Sequence, residues 1–494
     1  MKRALGFISI ALGVASLVAP ATVAGAATAT YSDGTLDTVA TASVIGTLSA
    51  DGYVSDYLTL SDGRTAIVGT FTSYNGTPVH QMAVTSANGA LDTVFNTNMG
   101  TGFLYTPFCN QCGSVAANIV RQQSDGKLLV AGYFQSFNGT PSSSLVRLNP
   151  NGTLDTAFAA NLGTGFTGGV QTSIGTDIQD VIVQTDGKIV VVGDYEYLNG
   201  VQVNFISRLN ADGSPDTAFN SNASSNCIIT VSAAVLLPNG SLIGVGCDFA
   251  ASRFNGIFSV GANGVRSTAF DTNVGAAFRT TRVDPSNQPY DVADSPWTAA
   301  LMKDGGILLG GSFSKFNGAT SPRGMLKIKS DGTLDTVFNS KLAAGIALLP
   351  TTVKPAYNDG FVADMKVQAD GRIVLIGFFD TVAGKSHRNI ARLNVDGSVD
   401  TTFTGSADFG TASYGLKLRL LTTGRILVLG TFTSWNGTAV TGHAVLGSAP
   451  VTKSAAAAAT TPSTGSPARP AMFFVSMALI AAGGMMVRRN RAVA

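Results

Sequence analysis

The chain has little charge and few histidine, cysteine or tryptophan residues. Asp, Glu, Lys and Arg make up 13% of its 494 residues, and there are three histidines, four cysteines and two tryptophans. This composition offers few groups for metal binding or for a Ser/His/Asp type of catalysis. The body of the chain also lacks the 3.6-residue apolar periodicity of amphipathic helices. Glycine, with 57 residues, and apolar side chains, at 45%, are plentiful.

The first residues have the features of a secretory signal peptide. Lys2 and Arg3 precede an apolar run over residues 4–19, and small residues then lead to Ala24-Gly25-Ala26. A charged start, a short apolar core and an A-x-A site predict a signal peptide over residues 1–26, cleaved between Ala26 and Ala27. The apolar run is too short for a membrane-spanning anchor, so we expect export.

The far end has the features of a surface anchor. Residues 449–470 are rich in Ala, Thr, Ser and Pro, which predicts an unfolded stalk, and residues 471–494 form a hydrophobic segment with a basic tail. "TPSTG" at 461–465 resembles the LPxTG signal by which sortases attach proteins to Gram-positive cell walls, with Thr461 in place of Leu. The resemblance implies cleavage between Thr464 and Gly465. Wall attachment and a retained membrane helix are both open, and either places the chain at the cell surface.

The two ends also hold the excess positive charge. The formal net charge is +2, but residues 1–26 and 465–494 contain six Lys and Arg and no acid, so the exported body carries −4. A body of this charge is not expected to bind nucleic acid.

The four cysteines are expected to form two disulfides, because the chain is exported and their number is even. Of the three connectivities, proximity in sequence favours Cys109–Cys112 with Cys227–Cys247. A redox role for the Cys-x-x-Cys stretch would need a βαβ context that the sequence lacks, so a structural loop clip is expected.

Two short phrases alternate along the chain. The first is exemplified by "TDGKIVVVGDYEYLNG" at 185–200, and its turn glycine recurs at spacings of 53 to 66 residues: Gly63, Gly126, Gly187, Gly240, Gly305, Gly371 and Gly424. The second is exemplified by "DGSVDTTF" at 396–403 and follows each of the first six copies. Repeats on this scale predict a solenoid, propeller or array.

One unit reads as four antiparallel strands. Apolar runs flank an Asp-Gly turn, a loop ending in Asn-Gly follows, and a third and a fourth short run flank a second Asp-Gly turn. The seven copies predict an all-β fold, a seven-bladed β-propeller of four-stranded antiparallel blades over residues 31–448.

The last unit lacks its fourth strand, whereas an extra copy of the second phrase, "DGTLDTVA" at 33–40, precedes the first unit. Placed beside residues 443–447, this N-terminal strand closes the ring and removes an exposed sheet edge.

At this point the motifs resemble the delta-60 repeat β-propeller family, most clearly in "NIARLNVDGSVDTTF" at 389–403. The resemblance covers residues 31–448 and implies a propeller with a surface or secreted location. It implies no established reaction and therefore assigns no catalytic residue. The fourth unit departs most, with Ser267 in place of the recurring aspartate, and the sixth has Ala383 in place of the recurring asparagine.

The recurring polar residues have two interpretations. An aspartate occupies one position in five units, where it is expected to cap its turn: Asp92, Asp155, Asp216, Asp335 and Asp400. Ca²⁺ binding by Asn394, Asp396 and Asp400 is the alternative, although the full EF-hand pattern is missing. His80, His387 and His443 fall in neighbouring blades, and solvated loop histidines are favoured over a metal site. No cofactor is required.

Long connections between units, unlike one another, are expected on one face of the disc, where binding usually occurs. They carry aromatic side chains that are candidates for ligand contact: Phe103, Tyr105, Phe108, Phe166, Phe278, Tyr290 and Tyr357. The alternative is that each aromatic residue fixes its own loop.

Two functions follow as hypotheses. The first is a monomeric, non-catalytic surface module that binds a glycan or a protein. The second is an exported hydrolase or lyase with its site at the mouth of the central channel. Its candidate acids and bases are Asp177, Asp291, Asp294, Asp359, Asp364, Arg279 and Arg282.

Overall fold

The computed structural model of the chain describes residues 34–49, 52–104, 116–169, 176–203, 205–223, 230–246, 256–275, 278–283, 289–293, 296–342, 345–348, 360–409, 415–440 and 442–447. Within these residues no helix is long and apolar enough to cross a membrane.

Seven large antiparallel sheets follow one another along the described chain, each with its strands in the order first, second, third. We number them sheets 1 to 7. Their strands are Val54–Thr59, Thr65–Gly69 and Met82–Thr85; Ala116–Gln122, Leu128–Tyr133 and Leu145–Leu148; Asp177–Val183, Ile189–Asp194 and Ile206–Leu209; Ala233–Leu236, Leu242–Val245 and Ile257–Val260; Pro296–Leu301, Ile307–Gly311 and Met325–Ile328; Phe361–Val367, Ile373–Phe378 and Ile390–Leu393; Lys417–Leu420, Ile426–Leu429 and His443–Leu446.

The first two strands of each sheet meet at the predicted glycine turn. In sheet 3, Gly187 has a φ of 82°, which only glycine adopts without strain. The carboxylate of Asp186 accepts a hydrogen bond from Lys188 N at 3.1 Å and so completes the turn locally. The second strands are buried on both faces, which explains their continuous apolar sequences.

The predicted fourth strand is wrong in six sheets and in the N-terminal segment, where it is reduced to a single bridge residue. Leu154, for example, pairs with Leu148. A short helix then begins in all but sheet 6, because the next polar residue acts as an N-cap: Asp155 Oδ1 accepts from Phe158 N at 3.2 Å. The helices are Thr38–Val44, Thr93–Asn98, Thr156–Leu162, Thr217–Asn222, Thr268–Val274 and Thr336–Leu342.

The predicted loop between the second and third strands holds a two-residue hairpin with Asn-Gly at its tip. Asn138 and Gly139 both have positive φ, 45° and 75°, as this turn requires. The strands of these small sheets, with those that join them, are Ser73–Tyr74, Thr77–Pro78, Phe103–Leu104, Ser136–Phe137, Thr140–Pro141, Phe166–Thr167, Tyr197–Leu198, Val201–Gln202, Phe278–Val283, Pro289–Ala293, Lys315–Phe316, Ala319–Thr320, Ile346–Ala347, Thr381–Val382, Lys385–Ser386, Ser434–Trp435 and Thr438–Ala439. The aromatic residue before Asn-Gly is buried at Tyr74, Phe137, Phe316 and Trp435; Phe254 lies outside the described residues.

The core consists of apolar clusters between successive sheets. One joins sheets 1 and 2, another sheets 2 and 3, and the series continues to sheets 6 and 7. A further cluster packs Leu427 and Val445 of sheet 7 against Val54 and Ile67 of sheet 1. Burial between adjacent sheets, rather than within one, therefore supplies most of the apolar stabilisation.

The N-terminal segment lies along the third strand of sheet 7. Gly34 N donates to Gly447 O at 2.9 Å, Gly447 N donates to Thr35 O at 3.0 Å, and Asp37 N donates to Val445 O at 2.8 Å. The described chain is thus all-β in its framework, with the propeller-like arrangement of antiparallel sheets that the repeats predict.

Candidate functional site

The first strands of all seven sheets line one cavity of about 260 Å³. Each sheet contributes at least one lining residue: Ser55, Arg121, Asp180, Ala233, Trp297, Lys366 and Arg419. Tyr53, Asp177, Trp297 and Lys417 belong to the beginning of their strands, next to the connections between sheets. The cavity mouth therefore opens on the side of the long connections.

Three of the first strands carry an aspartate directly after a β-bulge. In sheet 1 the bulge lies between Val54 and Asp56, and equivalent bulges precede Asp180 and Asp364. Each carboxylate accepts a hydrogen bond from the main-chain N–H of the residue that follows it, at 2.7 to 2.9 Å. Because a bulge interrupts the ladder, this bond satisfies a donor that would otherwise lack a partner.

Asp56 is the centre of a series of ion pairs across the cavity. Its Oδ2 accepts from Arg121 Nη1 at 2.7 Å and its Oδ1 from Arg419 Nε at 2.6 Å. Arg121 also reaches Asp180 at 3.2 Å, and Arg419 Nη1 lies 3.9 Å from Asp364 Oδ2. We call these five residues the carboxylate–arginine belt. It connects sheets 3, 2, 1, 7 and 6.

Asp56, at the centre of the belt, is held in its charged form. Burial alone would raise the pKa of Asp56, but the guanidinium groups of Arg419 and Arg121 outweigh burial and lower that pKa to about 2. The side chain of Asp56 is 1% exposed. A buried carboxylate with two arginine partners has a structural role, because its lone pairs are already occupied by hydrogen bonds.

Lys366 extends the positive side of the cavity. Its Nζ lies 2.7 Å from Asp364 Oδ1. Burial lowers the pKa of Lys366, and the neighbouring charges of Arg419 and Lys417 lower it further, against the attraction of Asp364. This end of the cavity thus concentrates three cations around one carboxylate.

Asp177 has the opposite electrostatic environment. Burial, and then the charge of Asp194, raise the pKa of Asp177 to about 6. The two residues are partners in the antiparallel register of sheet 3. Gln179 donates to Asp177 Oδ2 at 2.6 Å, whereas Oδ1 is buried and has no hydrogen-bond partner among the described residues. The carboxyl group of Asp177 therefore changes its protonation state at about pH 6.

Sheets 4 and 5 contribute no charged residue to the lining of this cavity. The lining there consists of Ser232, Ala233, Trp297, Thr298 and Ala299. The Trp297 ring packs edge-on against Phe361, with centroids 5.2 Å apart. The cavity accordingly combines an ionic half with a half that offers hydroxyl groups and an indole.

Three of the predicted ligand-binding aromatics are core residues. Phe103, Phe166 and Phe278 are at most 2% exposed. Phe103 packs against Phe134 and Phe137, with centroids 4.8 and 5.1 Å apart, and the other two make equivalent contacts. The prediction that these three side chains contact a ligand is therefore replaced by the alternative, in which each fixes the base of its loop.

The structure describes only some of the remaining predicted site residues. Asp177 and Asp364 line the cavity. Tyr290, Asp291, Arg279 and Arg282 belong to the paired strands Phe278–Val283 and Pro289–Ala293, and only the backbone of these four residues is described. Several predictions lie outside the described residues: Tyr105, Phe108, Tyr357, Asp294, Asp359, the cysteines at 109, 112, 227 and 247, the signal peptide, the stalk, the sortase-like motif and the basic tail.

The histidines are not solvated loop residues. His387 and His443 are 9% exposed, and His80 is half-buried. His443 Nε2 lies 2.9 Å from Thr41 O, in the helix that follows the N-terminal strand segment. Burial lowers the pKa of His387, so this side chain is neutral at physiological pH. No cluster of three or more metal-ligating side chains occurs within the part of the chain that the structure describes.

The recurring aspartates cap their turns, as predicted, and also form ion pairs. In sheet 3, Asp216 Oδ1 accepts from Phe219 N at 3.2 Å, while its Oδ2 contacts Lys188 at 2.8 Å and Arg208 at 2.8 Å. We call such a group of one carboxylate and two cations a triad. Sheet 6 has the same triad, in which Asp400 pairs with Arg392 and Arg372. The cations occupy the oxygen atom that the calcium alternative would need from Asp400.

Sequence reasoning missed Asp56, Arg121 and Arg419 as a group. A signal was present, because each is a charged residue that alternates with or follows apolar residues in a first strand, as in "ANIVRQ" and "LKLRLL". Such a residue is buried only when it is paired.

Comparison with protein families supports a β-propeller family. Five stretches match the family described as "Domain of unknown function (DUF5122) beta-propeller": residues 60–95, 123–158, 184–219, 303–338 and 368–403. Each stretch begins after the first strand and covers the second and third strands of one sheet, namely sheets 1, 2, 3, 5 and 6. No curated protein matches the chain.

Solved structures resemble the chain only distantly. YCF48 from Cyanidioschyzon merolae is 12% identical, with 81% of this chain and 98% of that chain covered and a TM-score of 0.37. XC5397 from Xanthomonas campestris, a gluconolactonase, is 11% identical, with 84% and 94% covered and a TM-score of 0.33. The extracellular domain of BT3049 from B. thetaiotaomicron is 10% identical, with 76% of this chain but 44% of that chain covered and a TM-score of 0.24. We draw no functional conclusion from similarities of this size.

Proposed function

We propose that the chain is an exported, cell-surface-anchored, monomeric propeller of seven blades that binds a glycan or a protein through its long-loop face and catalyses no reaction. The seven large sheets are the blades, and residues 33–40 close the ring in the last one. The cluster between sheets 7 and 1 and the Asp56–Arg419 ion pair support this closure.

One observation carries the binding proposal. Phe103, Phe166 and Phe278 are buried at the beginnings of long connections that differ in length and sequence. Variable segments that leave a rigid scaffold from fixed bases are the usual location of ligand-binding residues. The channel mouth, with Tyr53 and Trp297 on its lining, opens among them.

A glycan array and a pull-down on cell-wall material test this proposal with the intact chain. Combined substitution of Tyr105, Phe108, Tyr290 and Tyr357 by alanine should abolish any binding that is found and leave the melting temperature within a few degrees. Trp297→Ala distinguishes the channel mouth from the loops. Binding that survives both variants would place the ligand on another face.

The anchor is tested separately by mass spectrometry of the C-terminal peptide from intact cells. A peptide that ends at Thr464 supports sortase attachment, and a peptide that contains Gly465 and later residues supports a retained membrane helix. An intact chain in the cytoplasm would contradict both forms of the proposal.

An exported hydrolase or lyase is the second candidate, and Asp177 favours it. Its raised pKa of about 6 and its partly unsatisfied carboxyl at the channel mouth are properties of general acids. Hydrolysis of chromogenic glycoside and ester libraries, lost in Asp177→Asn but retained in Asp180→Asn, would establish this function over pure binding.

A further inference from the structure

The triad of one carboxylate and two cations is absent from sheet 4. The main-chain bonds identify the equivalent positions: Leu237 N donates to Ser241 O as Gln184 N does to Lys188 O, and Ser267 N donates to Ser259 O as Asp216 N does to Arg208 O. The lysine, arginine and aspartate of sheet 3 are thus replaced by Ser241, Ser259 and Ser267.

A cavity of about 390 Å³ lies where the triad would be. In sheet 3, Arg208 stacks over Phe219 at 4.2 Å and its Nη1 donates to Ala262 O of the next sheet at 2.7 Å. Ser259 is too short to cover Phe270 in this way or to reach Ser330 of sheet 5. The cavity therefore lies between sheets 4 and 5, on the side of the short turns at Gly240 and Gly332.

The lining of this cavity is rich in hydroxyl groups and contains one charged residue. Ser241, Ser259 and Ser330 contribute hydroxyls that have no protein hydrogen-bond partner among the described residues, while the Ser267 hydroxyl caps the following helix. Asp331 is the charged residue of the lining, and its Oδ1 already accepts from Thr333 N and Oγ1. Leu237 and Phe270 form an apolar floor.

We propose that this serine-lined cavity between sheets 4 and 5 is a second binding site, for a neutral saccharide. Hydroxyl groups without protein partners suit the polar edge of a pyranose ring, and the buried side chains of Leu237 and Phe270 lie beneath them. Loss of both cations and of the carboxylate removes the three charged groups that fill the equivalent position in sheet 3. The site lies on the face opposite the long connections and does not depend on the function proposed above.

The five matching stretches skip residues 220–302, which contain sheet 4, and do not cover sheet 7. Sheet 4 nevertheless keeps its strands and its capped helix.

The test uses the full chain in a non-glycosidic detergent and saturation-transfer NMR with glucose, galactose, mannose and N-acetylglucosamine. The variant Ser241→Lys/Ser259→Arg/Ser267→Asp restores the triad of sheet 3 and should weaken saccharide binding at least about tenfold. Ser259→Leu fills the cavity without charge and should have the same effect. Both variants are compared by thermal melting to establish that they fold.

Val395→Lys, at an exposed turn of sheet 6 outside both cavities, is the matched control and should leave this binding unchanged. The proposal is overturned if none of the four sugars binds the unsubstituted chain at millimolar concentration, or if binding persists in the two folded cavity variants. Tighter binding of glucuronate or glucosamine than of glucose would overturn the neutral class of ligand.

Discussion

Arg425 of sheet 7 forms an ion pair with Asp37, near the beginning of the described chain, with an N–O distance of 3.0 Å. In sheets 1, 2, 3 and 6, the cation after the turn glycine pairs with an aspartate 28 residues later in the same unit. The last unit takes the equivalent aspartate from the other end of the chain. A repeated contact is thereby completed by two segments that are distant in sequence.

Asp37→Ala should lower the free energy of unfolding by about 1–3 kcal/mol, because it removes a helix cap and an ion pair together. Asp37 Oδ1 accepts from Ala40 N at 2.9 Å. Urea unfolding of Asp37→Ala, Arg425→Ala and the double variant measures the coupling between the two residues. Deletion of residues 31–41 should lower the melting temperature further. Unchanged stability in Asp37→Ala and in the deletion variant would exclude closure by the N-terminal segment.

Asp56→Asn should destabilise the chain by about 3–5 kcal/mol, since it leaves two arginines without their buried carboxylate. Asp180→Asn is the control with a single arginine partner and should cost less. The pKa of Asp56 is lowered to about 2, so its contribution is complete above the unfolded pKa near 4 and disappears as the pH falls toward 2. The denaturant midpoints of the unsubstituted chain and of Asp56→Asn should therefore converge below about pH 3. A difference that is constant with pH contradicts the assignment.

Asp177→Asn should have the opposite pH dependence. A carboxyl whose pKa is raised to about 6 opposes folding once it ionises, so the unsubstituted chain loses stability as the pH rises from 4 to 6. The variant should be more stable above pH 6, by roughly 1–3 kcal/mol, and similar to the unsubstituted chain below pH 4. Melting temperatures across this range check the prediction. Asp194→Asn should lower the pKa of Asp177 in a carboxyl NMR titration, and an unmoved pKa would remove Asp194 as a cause.

Ala383→Asn should stabilise the chain by about 0.5–1 kcal/mol. Ala383 has a φ of 46° at the hairpin position where Asn317 has a φ of 50°, and a side chain with a Cβ is strained there unless it is asparagine. The matched control is Asn317→Ala, which should destabilise by a comparable amount. Opposite changes in the urea midpoint are expected, and a loss of stability in Ala383→Asn would contradict this account.

The repeating framework could be predicted from the sequence because its signals are local. The turn glycines, such as Gly187, need positive φ wherever the hairpin recurs, and the second strands are buried on both sides. The fourth strand was predicted wrongly because "LDTAF" has the apolar alternation of a strand, whereas Asp155 is an N-cap that starts a helix. Pattern and capping compete over five residues, and capping determines the outcome.

The candidate site was less predictable because it depends on contacts between units. Phe103 and Phe166 follow the same Gly-Thr-Gly sequence, a repetition that indicates a structural role and was overlooked. The Asp56–Arg419 pair spans nearly the entire body, and no local pattern specifies it. The serine-lined cavity emerges only when Ser259 is aligned with Arg208 by main-chain bonds.

The hydrogen bonds of Gly447 with Gly34 and Thr35 bring the beginning and the end of the body side by side. A chain that crosses a membrane from its N-terminus delivers residues 34–37 first and their partner strand last, so sheet 7 stays incomplete until the whole body has emerged. Because loop-closure entropy grows slowly with length, the entropic cost of joining these two distant segments is small relative to their separation in sequence. The proximity of these two segments also allows them to be joined in a circular permutant. A permutant that links residues 447 and 34 directly and opens at the tip of an Asn-Gly hairpin should fold with the same seven sheets and without dependence on synthesis order.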